Sequence, residues 1–237
     1  MDRKKYGQNL RSWTIFIALL CLSACLGPKP SSRPDLLAYQ IKDRVNKDFL
    51  IIRDSELESY LQSLVFRLIS NYGNQISIEI AKNQLPFARS FPGGLVLVSS
   101  GLLEICNSES ELAFVLAHEF GHVILGHHSQ PVAELELTEL KARELAADSF
   151  GGHALVSAGY SIDGAFSSIQ RLTSIWDFYG TQNESGYPSA TERLEALQNQ
   201  LMDQSCLMTG TCLMGGMESS RDFVRFRMRL GIVSRKN

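Results

Sequence analysis

His118-Glu119-Phe120-Gly121-His122 sits inside an apolar run. Residues four apart fall on one face of a helix, about 40° round its axis. Two imidazoles so placed can reach one metal ion, while Glu119, next to the first, is turned away from it. That offset brings its carboxylate to a water beside the metal rather than to the metal, an arrangement suited to zinc-assisted peptide hydrolysis. A catalytic zinc also wants a third protein ligand and an open position. Glu144 and Asp148 lie 22 and 26 residues beyond His122, four apart and so on one helical face. Glu144 can bind the metal while Asp148 hydrogen-bonds a ligand imidazole and fixes its tautomer. The alternative third ligand is His128, six residues after His122, an offset used by a third histidine in other zinc sites. That pattern places glycine three after the second histidine, where this chain has Leu125. An uninterrupted helix also swings His128 off the His118/His122 face, so geometry favours Glu144.

These side chains need elements to hold them. Ser108-Glu109-Ser110-Glu111 has capping character and predicts an apolar helix from Leu112 to about His127. Pro131 opens a helical stretch, rich in Glu, Leu and Ala, running to about Gly159 and carrying Glu144 and Asp148. Helical periodicity is weak from Asp35 to Phe49 and clear from Asp54 to Tyr72, with Gly73 after its end. Further helices are predicted over Asp163 to Tyr179 and Ala190 to Met202. Gln75 to Ala81 alternates Ile76, Ile78 and Ile80 with polar partners and predicts a strand. Leu95 to Val98, after Pro92-Gly93-Gly94, predicts another. Val224 to Leu230 alternates apolar residues with arginines and predicts a strand with one arginine face. The sum is an α+β domain, mostly helical, with a small sheet.

The chain has 237 residues, 44% hydrophobic and 20% charged, which supplies a substantial core and excludes wholesale disorder. A net charge of −2 argues against a nucleic-acid partner. No apolar run supports a multi-pass membrane protein. Five cysteines are too few for a disulfide scaffold at this length.

The N-terminus has basic residues Arg3, Lys4, Lys5 and Arg11, then a short apolar stretch from Trp13 to Leu22. Leu22-Ser23-Ala24-Cys25 follows, so residues 1–24 are expected to be a signal peptide. The last four residues resemble a bacterial lipobox, which implies cleavage before Cys25, lipid on its sulfur and attachment to a membrane. Leu26 in place of Asp implies, by analogy, transfer to the outer membrane. Residues 25–34 then form a proline-stiffened tether, and residues 35–237 the folded domain with a basic C-terminal segment.

From Leu85 to Leu197 the chain resembles the HtpX/BepA/LoiP type of gluzincin zinc metallopeptidase, the lipoprotein branch of a family with CAAX-protease and Oma-like members. Three segments carry the resemblance. They are Phe87 to Leu95 followed by Ser100-Gly101-Leu102-Leu103; His118 to His122 with His127 five further on; and Arg143-Glu144-Leu145-Ala146-Ala147-Asp148. The resemblance implies a zincin-like domain binding one Zn2+ through His118, His122 and Glu144, with Glu119 as general base and Asp148 behind the ligands. It also implies that Leu95, Val96, Leu97 and Val98 form the edge strand flanking the HExxH helix, where an extended substrate pairs. The chain departs from the pattern at Tyr187, where relatives carry histidine before Pro188. A phenol there, or Arg193, is expected to stabilise an oxyanion.

The expected function is a membrane-anchored zinc metalloendopeptidase of the cell envelope, on the periplasmic face of the outer membrane. Its substrates would be unfolded or misassembled envelope proteins. The alternative is a catalytically weak zinc lipoprotein acting as an assembly factor or holdase beside envelope assembly machinery. Cys206 and Cys212 are spaced for a small-loop disulfide in an oxidising compartment, leaving Cys106 over. His127, His128 and His153 are assigned packing or hydrogen bonding.

Overall fold

The computed structural model describes residues 34–130, 135–179, 187–209 and 216–233. The leader, Cys25 and all but the end of the tether lie outside them. Pro34, in a first turn where a missing N–H costs nothing, opens α1 (Pro34–Asp48), and strand β1 (Ile51–Ile52) follows. Asp54 caps α2 (Ser55–Leu68) by accepting from the N–H groups of Glu56 and Leu57. The stripe Leu57, Leu61, Leu64, Val65 and Leu68 is buried, as its spacing predicts. Strands β2 (Ser77–Ala81), β3 (Ala88–Ser90) and β4 (Leu95–Ser99) complete the sheet. Helices α3 (Ser100–Ile105), α4 (Glu109–Ile124), α5 (Leu137–Ser157), α6 (Asp163–Tyr179), α7 (Ala190–Thr209) and α8 (Arg221–Val233) follow. The fold is α+β and mostly helical, as expected. The β1, β3 and α3 segments are too short to show a period.

The sheet order is β1-β2-β4-β3, with β2 and β4 parallel and β3 antiparallel to β4. This corrects the expectation for Leu95 to Val98. They form an interior strand, almost wholly buried, and the edge beside α4 is β3. The physical reason is in the residues. A continuous apolar run suits a strand covered on both faces, and on an open edge it would invite aggregation.

Helix α4 runs through the middle of the core, buried on every side from Leu112 to Ala117. Ser108 caps it by accepting from Glu111 N–H, and the Glu111 carboxylate accepts from Asn107 N–H. Glu109, fully buried, accepts from Arg67, Tyr160 and the Ser220 N–H, which pins the start of the helix to α2, α6's approach and α8. The helix ends at Ile124 rather than His127, because Gly126 adopts φ 70° and turns the chain into a short 3-10 turn, His127–Ser129. Helix α5 begins at Leu137, later than Pro131; residues 131–134 lie outside those described. It packs closely along α4: a Cβ on Gly151 would stand 3.2 Å from the His118 backbone nitrogen.

The C-terminal segment also needs correction. Val224 to Leu230 is helical, part of α8, not a strand. Two periods compete there, and the buried set Phe223, Phe226 and Leu230 has helical spacing. Phe226 stacks on Tyr60 with centroids 4.3 Å apart. Arg227 donates to the carbonyls of Cys106 and Glu104, so part of the arginine face is spent inside the fold. Arg229 reaches the Asp54 carboxylate at 2.7 Å. The Arg229 hydrogen bond, opposed by burial, holds the Asp54 carboxyl below its ordinary value. A depressed pKa means the stabilisation is present above the unfolded value, about 3.9, and is lost as pH falls through the folded one. Arg229→Gln is expected to lower stability slightly near pH 7, with the gap to the parent closing below about pH 4. Urea melts of both chains across that range check it; a gap independent of pH would reject this account.

Cys106 is a free, buried thiol, pushed up to about 12 by burial. The expected Cys206–Cys212 bridge lies outside the described side chains.

Candidate metal centre

His118 and His122 lie one turn apart on α4, and α5 lays Glu144 across from them. Their Nε2 atoms are 3.1 Å apart; Glu144 Oε2 is 3.4 Å from His118 Nε2, and Oε1 is 3.5 Å from His122 Nε2. Tetrahedral zinc with ligands at about 2.05 Å separates ligand atoms by about 3.4 Å. The donor set therefore fits a zinc ion in both chemistry and spacing. Among the described residues these three form the group able to hold a metal. His128, the other candidate, sits in the turn past the helix end and is not part of it. Its Nε2 is buried without a partner among the described residues.

The surrounding hydrogen bonds fix the candidate ligands. Asp148 Oδ1 lies 2.9 Å from His118 Nδ1. Accepting there, it keeps the proton on Nδ1 and the Nε2 lone pair toward the metal position. Arg193, from α7, grips Asp148 with both Nε (2.7 Å) and an outer nitrogen (2.6 Å). His127 Nδ1 lies 2.9 Å from His122 Nδ1, so His127 supports the second ligand. Arg143 holds that turn by donating to the His127 carbonyl at 2.7 Å. Burial opposes protonation of His118, but Asp148 and Glu144 outweigh it and hold the imidazole up to about 10. Burial, then the adjacent His118, pushes His122 down to about 3. Burial works to raise Asp148, yet Arg193 and His118 keep it at about 2.

Glu119 faces the other way, toward the sheet. Its Oε2 accepts from Ser90 N–H at 2.7 Å and Ser90 Oγ–H at 2.8 Å. Beside it runs a small, largely apolar cleft lined by Ala88, Phe114, Val115, Ile169 and Leu172, with His118, Glu119 and Arg193 at its wall. The structure thus brings together His118, Glu119, His122, Glu144, Asp148 and Arg193. Arg193 holds Asp148 as well as lining the cleft. Tyr187 is half exposed and does not line it. Sequence reasoning missed Ser90, which lay within a quoted segment but has no periodic link to Glu119, and left His127 without a named partner.

Residues 53–140 match the model for peptidase family M48. Over this segment the chain is similar to peptidase family M48. The mitochondrial metalloendopeptidase OMA1 of Schizosaccharomyces pombe is 32% identical over 77 residues, 31% of this chain and 23% of that protein. The beta-barrel assembly-enhancing protease of Escherichia coli K12 is 36% identical over 81 residues, 32% of this chain and 16% of that protein. A putative beta-barrel assembly-enhancing protease of Vibrio cholerae is 33% identical over 87 residues, 35% and 18% respectively. The chain spans under a quarter of the length of these relatives. The matched M48 segment contains His118, Glu119 and His122 but stops before Glu144, Asp148 and Arg193, which the fold delivers to the same place.

Proposed function

We propose that the chain is a zinc metalloendopeptidase of the gluzincin type, with His118, His122 and Glu144 holding one Zn2+ and Glu119 acting as general base. The observation that carries this reading is the three-ligand cage at tetrahedral spacing, with a carboxylate one residue from the first ligand and beside an open sheet edge. A zinc ion there would supply Lewis acidity, lowering the pKa of a water and polarising a carbonyl. The chain's own groups do the rest. Glu119 takes a proton from the attacking water and delivers it to the leaving amine. Asp148, held by Arg193, keeps His118 in one tautomer. The apolar cleft keeps water from that side and receives a substrate side chain.

Main-chain pairing at β3 would position the substrate. Phe91 N–H donates to Leu95 C=O and Ser99 N–H to Phe87 C=O, so residues 87 and 91 face β4. The N–H and C=O groups of Ala88 and Ser90 therefore face the open edge. An extended chain recognised there needs free backbone rather than a particular sequence, which suits unfolded envelope proteins. The signal at residues 1–24, lipidation at Cys25, the tether and a domain over residues 35–237 would place it on the periplasmic face of the outer membrane. Among the described residues no helix is long and apolar enough to cross a membrane.

The test is zinc content together with cleavage of unfolded casein by the full chain, before and after chelation. One zinc per chain, cleavage falling to background on chelation and returning with zinc, is the expected result. Zinc without cleavage would favour the assembly-factor reading, and absence of zinc would overturn the site.

A further inference from the structure

We infer that Ser90 is a positioning residue for the general base, fixing Glu119 through its hydroxyl as well as its backbone; the inference rests on the peptidase reading above. Ser90 is buried, so water competes poorly for its two donors. Both point at the same oxygen, Oε2. Among the described residues the other oxygen, Oε1, accepts no hydrogen bond and is the one left to take a proton. A carboxylate held at one oxygen by two convergent donors keeps its plane, and with it the direction of the remaining lone pairs.

The strand sets this geometry. β3 is the sheet's edge, and its pairing with β4 at Ala88, Arg89 and Ser90 turns the Ser90 N–H outward, away from β4. That outward N–H is spent on Glu119 rather than kept for an added strand. The pairing edge open to substrate therefore consists of the two Ala88 groups and the Ser90 carbonyl. Ser90 marks where the substrate ladder gives way to the catalytic carboxylate. The hydroxyl adds a donor that alanine at the same position would lack, while the backbone bond would remain.

The test compares the full chain with Ser90→Ala and Ser90→Thr in zinc content, casein cleavage and melting of the metal-free protein. Ser90→Ala is expected to lower kcat about tenfold or more, with KM within about twofold and zinc content unchanged. Ser90→Thr, which keeps the hydroxyl, should retain most of kcat. In the metal-free chain Ser90→Ala should lower Tm by about 3 °C, and by much less when Glu119 is already alanine. Unchanged kcat in Ser90→Ala, a rise in KM alone, equal loss in the threonine variant, or a Tm effect independent of Glu119 would each overturn the inference. A parent chain that binds zinc and cleaves nothing would overturn the peptidase reading itself, which separates the two failures.

Discussion

Glu119→Gln is expected to bind zinc as the parent does and to lose turnover by roughly a hundred to ten thousand fold, the usual contribution of a positioned base. The amide keeps the size of the carboxylate and can still accept from Ser90 through its oxygen. It cannot hold a proton. Glu119 contributes no atom to the ligand cage, whose three members are His118, His122 and Glu144. Metal content and turnover should therefore part company in this variant alone among the residues of the HExxH segment. Zinc analysis and initial rates of casein hydrolysis on the same preparation measure both. Retained zinc with retained cleavage would sink the assignment of Glu119.

Arg193→Leu should show the second large effect, this time on the metal. Asp148 is almost wholly buried and depends on the Arg193 fork for two of its hydrogen bonds. Removing the guanidinium leaves a buried carboxylate with His118 as its remaining partner. Breaking such a pair costs about 3–5 kcal/mol of stability. The same change should weaken zinc binding by about 10- to 100-fold, because Asp148 orients the first ligand. Arg193→Lys restores the charge but not the two-pronged geometry, so it should fall between. Competition with a chelator of known affinity and a denaturant melt give the two numbers. Zinc affinity within twofold of the parent in Arg193→Leu would mean that the Arg193–Asp148 contact does not tune the ligand.

The clustering of His118, His122 and Glu144 was legible in the sequence because it is written in a local period. His118 and His122, like Glu144 and Asp148, are paired by the helical turn, and their helices bury apolar residues that announce them. The edge strand was not legible from the resemblance, although Leu95 to Val98, apolar without a break, carried the physical signal of an interior strand. Which strand is outermost is settled by tertiary pairing, and the three residues of β3 are too few to show a period. The C-terminal segment misled because two patterns overlap. Val224, Phe226, Met228 and Leu230 alternate, yet Val224 and Met228 end up exposed while Phe223 joins Phe226 and Leu230 in the core. Ser90 and Glu119 are 29 residues apart on different element types. No spacing rule links them, and only the packing of β3 on α4 does.

The ligands and their supports all come from helices or the turn after α4, whereas the groups touching the Glu119 carboxylate come from the sheet. On the peptidase reading proposed above, loading the ion and poising the base would be separable traits, each governed by its own layer of the molecule. A lesion in the sheet can leave a chain that scores as complete in any metal assay and is nonetheless inert. Conversely, a helix variant starved of its ion can keep a well-aimed base and be rescued by raising zinc in the medium. Selection, or an engineer, can adjust occupancy and speed along independent axes.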